Sequence, residues 1–163
     1  MLFRSLLSAL HEERGLRDFK AYYFHNCVYE RVFETAQLVR KQSMPTSDLL
    51  RTYSERWKLV VVGDGSMHPS ELTSPRGNIN PRFETETTGL VWLDRLQRHF
   101  TRSAWLNPEM PDPWAMAGTV RTIAGLFPMY ALTIDGIEQA VKSLVGARAE
   151  TAKAVLAAGS AGS

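Results

Sequence analysis

The run Trp57-Lys58-Leu59-Val60-Val61-Val62, followed at once by Gly63-Asp64-Gly65-Ser66-Met67-His68, constrains the fold more than any other stretch of the chain. Four consecutive apolar residues, three of them β-branched, lack the alternation of a strand with one wet face. They predict a strand at 57–62 that is buried on both faces, as strands of a parallel sheet are. A parallel sheet needs crossover connections, and the flanking segments supply them. Leu90, Val91, Leu93, Leu96 and Phe100 recur at helical spacing, with Asp94, Arg95, Gln97 and Arg98 on the other side. Val120, Ile123, Ala124 and Phe127 form a second helical stripe. A third helix is expected over 133–145, where Thr133 serves as cap and Asp135 stands in the first turn. Short strands are expected at 102–106 and 128–131.

Upstream, the apolar and aromatic residues from Ala21 to Phe24 predict a strand at 21–25. Val28, Tyr29, Val32 and Phe33 predict an antiparallel edge strand at 28–33, returning past His25, Asn26 and Cys27 as a hairpin. Pro45 precedes Thr46, Ser47 and Asp48, each suited to cap a helix over Leu49–Tyr53. Strands alternating with helices give an α/β class: a doubly wound, mostly parallel sheet with helices on both faces and one antiparallel edge strand. Leu2–Arg14 reads as an amphipathic helix, 73–88 as a long surface loop, and 108–113, with its three prolines, as another loop. One domain over 1–146 is expected, followed by an Ala/Gly/Ser-rich tail over 147–163.

Composition narrows the function classes. A net charge of +2 with no basic run argues against a nucleic-acid surface. The single cysteine, Cys27, excludes an internal disulfide framework and a multi-cysteine zinc site, and suits the cytoplasm. Every apolar run falls far short of the roughly 20 residues of a membrane span.

Ligands of open α/β sheets bind beyond the carboxyl ends of the strands. That rule points to His25 and Asn26, to Gly63–His68, to Asn107 and to the turn after Leu132. The Asp64–His68 loop is the richest, with a carboxylate, a hydroxyl and an imidazole at alternate positions. Asp64 and Ser66 offer oxygens of the kind a hard cation such as Mg²⁺ takes. The same residues also read as ordinary turn chemistry, with Ser66 capping a helix that starts near Pro69. His68 reads as a solvated loop side chain and Cys27 as hairpin filling.

In order and spacing, YYFHNCVYE, PTSDLL, WKLVVVGDGSM, VWLDRL, WLNP and FPMYALTIDGIEQAV resemble the later part of a von Willebrand factor A domain, of the bacterial CoxE-like branch. The similarity spans about Phe3 to Leu144. Such domains carry a metal-ion-dependent adhesion site: an Asp-x-Ser-x-Ser loop, a Thr from a second loop and an Asp from a third. Thr46 falls where the second-loop Thr belongs and Asp64 where the third-loop Asp belongs, with Ser66 nearby. The first motif is absent, and so is the central strand that carries it. The resemblance therefore implies an incomplete domain with a degenerate site (Thr46, Asp64, Ser66), Mg²⁺ held weakly or not at all, and His25, Asn26 and His68 on a partner-binding rim. It also implies a non-catalytic module that docks a protein partner and works beside a AAA+ ATPase. The competing readings are a hydrolytic or phosphoryl-transfer enzyme centred on Asp64 and a fragment without function. With the central strand missing, open strand edges and self-association are expected.

Overall fold

A computed structural model describes residues 18–77 and 86–146. The expected helix at 2–14 and the tail at 147–163 lie outside these residues, as does the middle of the 73–88 loop. Two sheets form. The larger has three parallel strands in the order β3 (Lys58–Val62), β4 (Arg102–Asn107), β5 (Met129–Ala131). Val61 lies opposite Trp105, and Trp105 opposite Met129. The smaller sheet pairs β1 (Arg31–Phe33) antiparallel with β2 (Ser43–Pro45).

Side chains alternate across the parallel sheet and build two cores. Val61, Trp105 and Met129 face a cluster with Leu93, Leu96, Phe100, Val120, Ile123 and Phe127. Those residues belong to α3 (Gly89–His99), its C-terminal flank, and α4 (Gly118–Leu126) with its flank. The short helix α2 (Pro69–Thr73) packs against both α3 and α4. Ala104, Leu106 and Tyr130 face the opposite side, where Ile137, Ala140, Val141 and Leu144 of α5 (Ile134–Val145) cover them. Helices thus flank the sheet on both faces. Thr133 caps α5 as expected, its hydroxyl accepting from Gly136 N at 3.1 Å. Among the described residues no helix is long and apolar enough to cross a membrane.

Three expectations need correction. First, β4 and not the 57–62 run is the buried strand: Ala104 to Asn107 are buried, whereas only Val61 is buried in β3. The cause is position, because β3 ends the sheet order and has a neighbour on one side only among the described residues. Second, 21–25 is not a strand of the parallel sheet. It makes isolated bridges, Tyr23 with Phe33 and His25 with Cys27. Asn26 takes a left-handed conformation (φ 56°), and Cys27 N reaches His25 O at 2.6 Å, so the chain doubles back tightly there. Third, the antiparallel strand within 28–33 shrinks to Arg31–Phe33 and pairs with β2 in its own sheet, not at the edge of the parallel one. Val28 and Tyr29 instead join the core beside Cys27.

Smaller differences concern helix starts. Helix α1 runs Thr46–Thr52, a turn earlier than expected, with no side-chain cap bond at its start. The helix after β3 begins at Pro69 as anticipated, but His68 caps it and Ser66 does not. Within the proline-rich 108–113 loop and just beyond it, Asp112–Ala115 forms a single 3-10 turn.

Candidate functional site

The carboxyl end of β3 runs straight into the loop that sequence reasoning singled out. Gly63 N donates to Leu106 O at 3.1 Å and continues the ladder. In that register the next donor to Gly63 O is residue 108, and Pro108 has no N–H. The indole of Trp105 donates there instead, Nε1 to Gly63 O at 2.6 Å. Asn107, fully buried at the end of β4, donates from Nδ2 to Asp64 O at 2.9 Å and accepts from Glu109 N at 2.9 Å through Oδ1. The loops after β3 and β4 are therefore tied together by one amide.

Gly65 adopts φ 68°, and a methyl carbon at that position would stand 3.1 Å from Ile123 Cδ1. The loop thus leans on the first turns of α4. Asp64 is exposed, and its Oδ1 accepts from Ser66 N at 2.9 Å. This is the local turn bond by which Asp shapes a loop.

His68, Asn26 and Glu71 form the second part of the site. Glu71 is 3% exposed, and both carboxylate oxygens are satisfied: Oε1 by Asn26 Nδ2 at 2.8 Å and Oε2 by His68 N at 3.2 Å. His68 Nδ1 in turn accepts from Ser70 N at 3.3 Å and meets Ser70 Oγ at 2.7 Å. This is a capping box with histidine in the role that Ser or Thr usually plays. It draws the Asn26 turn against the start of α2, and Tyr29 OH adds a bond to Glu71 O at 2.8 Å. Burial first, then the neighbouring Cys27 and Glu71, pushes the Tyr29 phenol up. Burial likewise pushes the Cys27 thiol up to about 12.

Of the residues predicted for the site, Asp64 and Ser66 adjoin, and Asn26 and His68 meet on Glu71. His25 stands at the tight turn opposite Cys27. Thr46 is fully buried, and its hydroxyl donates to Tyr29 O at 2.5 Å. The Thr46 hydroxyl is thus committed inside the core, while Asp64 and Ser66 are exposed. Among the described residues no group of three or more His, Cys, Asp or Glu side chains could hold a metal ion.

Two features of this end of the sheet escaped the sequence reading. One is Glu71, whose signal was its position three residues after His68, masked because histidine is a rare cap. The other is a cleft of about 370 Å³ between the Ser66–Thr73 segment and the start of α4, bordered by Met67 and Leu72 on one side and Gly118 and Thr119 on the other. No local pattern joins these walls, which lie some fifty positions apart in the chain. Beyond the cleft, Met110 and Met116 on the β4–α4 connection and Ile134 at the start of α5 are 64%, 86% and 66% exposed. Comparison of the chain with protein-family models, with curated proteins and with solved structures finds no match in any of the three.

Proposed function

We propose that this chain is a non-catalytic protein-interaction module that docks a partner at the carboxyl end of its parallel sheet. The observation that carries this reading is the exposure of Met110, Met116 and Ile134 on the connections that leave β4 and β5. Large apolar side chains held in water at the functional end of an α/β sheet suit a contact surface, and flexible methionines suit one that adapts to its partner. Asp64, Ser66, Asn26 and His68 form the polar flank of the same end.

The sequence resemblance sets the finer part of the proposal: a von Willebrand factor A-like module of the CoxE-like branch, cytoplasmic, acting beside a AAA+ ATPase in maturing or remodelling another protein. The test is co-purification of the tagged chain from its native host, with the paired substitution Met110→Asp and Met116→Asp as control. The expected result is one stoichiometric partner, an ATPase, that the double variant loses while staying folded. A chain that recovers nothing, or that recovers the same protein with and without the two methionines, would sink the reading. An activity abolished by Asp64→Asn would favour the enzyme alternative.

A further inference from the structure

Three segments far apart in the chain meet at the amino end of the parallel sheet. Thr101, just before β4, donates to Glu55 O from its N at 3.1 Å and from its hydroxyl at 2.8 Å, and His99 Nε2 lies 2.7 Å from Tyr53 O. Arg102 Nη1 donates to Ser143 O at 3.0 Å and also to Gly146 O, which holds the end of α5 against the start of β4. The turn before β3, the end of α3 and the end of α5 therefore lie side by side. Arg56 and Lys58 come from the first, Arg95 and Arg98 from the second, Arg102 from the strand start that joins them, and Lys142 from the third. Arg56, Arg95, Arg98 and Lys142 are exposed. The chain shows no basic run because these cations are neighbours in space and not in sequence.

Cations at helix C-termini also serve the helix dipole, and Arg102 is engaged that way. Two helix ends carry only about one negative charge together, however. On the same turn and the same helix end stand two carboxylates, Glu55, which is exposed, and Asp94, which pairs with Arg98 at 2.9 Å. The six cations outweigh both sources. At the carboxyl end of the sheet the exposed charges include Asp64, Glu109, Asp112 and Asp135. A polyanion is therefore drawn to the amino end and repelled from the other. Four of the six cations are arginines, whose planar guanidinium forks match phosphate oxygens. Trp57, between Arg56 and Lys58, is half-buried and meets the half-buried Tyr53 edge-on, with ring centroids 4.8 Å apart. Aromatic rings partly open to water beside cations give bases a surface to stack on. An acidic protein segment would use the charges but not the rings.

We propose that the amino end of the sheet binds single-stranded nucleic acid. Arg56, Arg98 and Lys142 hold phosphates, and a base stacks beside Trp57. This surface lies opposite the partner-docking end, so each of the two readings can fail without the other.

The experiment is fluorescence anisotropy of a labelled oligouridylate of about 10 nucleotides, within the length one small domain covers, titrated with the full chain at several salt concentrations. Saturable binding is expected, with log K falling linearly in log salt by about 0.7 for each phosphate contacted. Arg56→Gln, Arg98→Gln and Lys142→Gln each remove one exposed charge. Each is expected to weaken binding about threefold and to make the salt slope shallower by about 0.7, at an unchanged melting midpoint. Arg121→Gln removes an exposed charge from the first turns of α4, at the other end of the sheet, and should change neither. An abasic strand of the same length keeps the phosphates without the bases and is expected to bind about tenfold more weakly. Equal or tighter binding of the abasic strand, or of polyglutamate of the same length, would make this a surface for any polyanion and overturn the proposal. Anisotropy that never saturates, or three variants that behave as Arg121→Gln does, would overturn it as well.

Discussion

The side-chain amide of Asn107 donates to the main-chain carbonyl of Asp64 across 2.9 Å, so the end of β4 holds the loop that leaves β3. The same side chain accepts from Glu109 N and approaches Met129 Sδ at 3.6 Å, and it is fully buried. One residue thus ties together the loops that leave β3 and β4.

Asn107→Leu is therefore expected to cost about 1–3 kcal/mol, because it removes two part-buried hydrogen bonds at once, to Asp64 O and from Glu109 N. Urea denaturation measures the loss. Asp64→Asn is the contrasting variant: the side chain is exposed, and an asparagine Oδ1 still accepts from Ser66 N. It should stay within about 0.5 kcal/mol of the parent. Equal costs for the two would mean that Asn107 does not hold the loop.

The contrast between these residues also shows what was legible beforehand. Asn107 was found by rule, since it ends a strand whose apolar run is visible locally. Helices α3, α4 and α5 were legible for the same reason, as their stripes repeat within a dozen residues and need no knowledge of the rest of the chain. Segment 21–33 was not. Its apolar residues fit a strand, but their pairing was decided by Ser43–Pro45 and by the left-handed turn at Asn26, neither of which has a periodic signature. Glu71 is hard to read because histidine is a rare cap and its other partner, Asn26, lies 45 positions away.

Gly89 opens α3 directly over Cys27. A methyl carbon added there would sit 2.5 Å from Cys27 Sγ and 3.1 Å from Glu71 O. Gly89→Ala should destabilise by about 1–3 kcal/mol through overpacking, although alanine is the better helix former. Adding Cys27→Ala should recover part of that loss, since the sulfur is the nearest obstacle while the carbonyl remains. A double-mutant cycle by chemical denaturation reads the coupling. Strict additivity of the two substitutions would contradict the contact.

Cys27 is 1% exposed, and its thiol is held up to about 12 from an ordinary value of 9.0 by burial. Tyr22 is pushed up to about 12 by burial and by its hydrogen bond with Tyr53. For both groups the folded state keeps a proton that the unfolded chain releases first. Their stabilising effect is therefore complete below pH 9 and is lost as pH rises from about 9 towards 12. Denaturation midpoints should hold steady from pH 7 to 9 and then fall. In Cys27→Ala the midpoint should be lower throughout and the fall above pH 9 shallower. At pH 8 the native thiol should react with a disulfide reagent only as fast as the chain opens, which added urea would accelerate.

The edge of β3 carries the last prediction. Gly63 N points to β4, and alternation along the strand then directs the N–H and C=O groups of Leu59 and Val61 to β4 as well. Those of Lys58, Val60 and Val62 point the other way, where no described strand pairs with them. Phe24 lies near the strand's end, within 3.7 Å of a methyl carbon placed on Gly63, but it brings no ladder. An apolar strand with a row of open main-chain groups is a template for another strand. The chain should therefore self-associate, with light scattering rising as concentration increases. Val60→Pro removes an outward N–H only, a substitution an edge strand tolerates, so it should reduce association while leaving the far-UV signal intact. Val61→Pro removes a bond to β4 from a buried position and should unfold the sheet. A chain that stays monomeric at all concentrations, or one in which Val60→Pro is as disruptive as Val61→Pro, would show that this edge is covered.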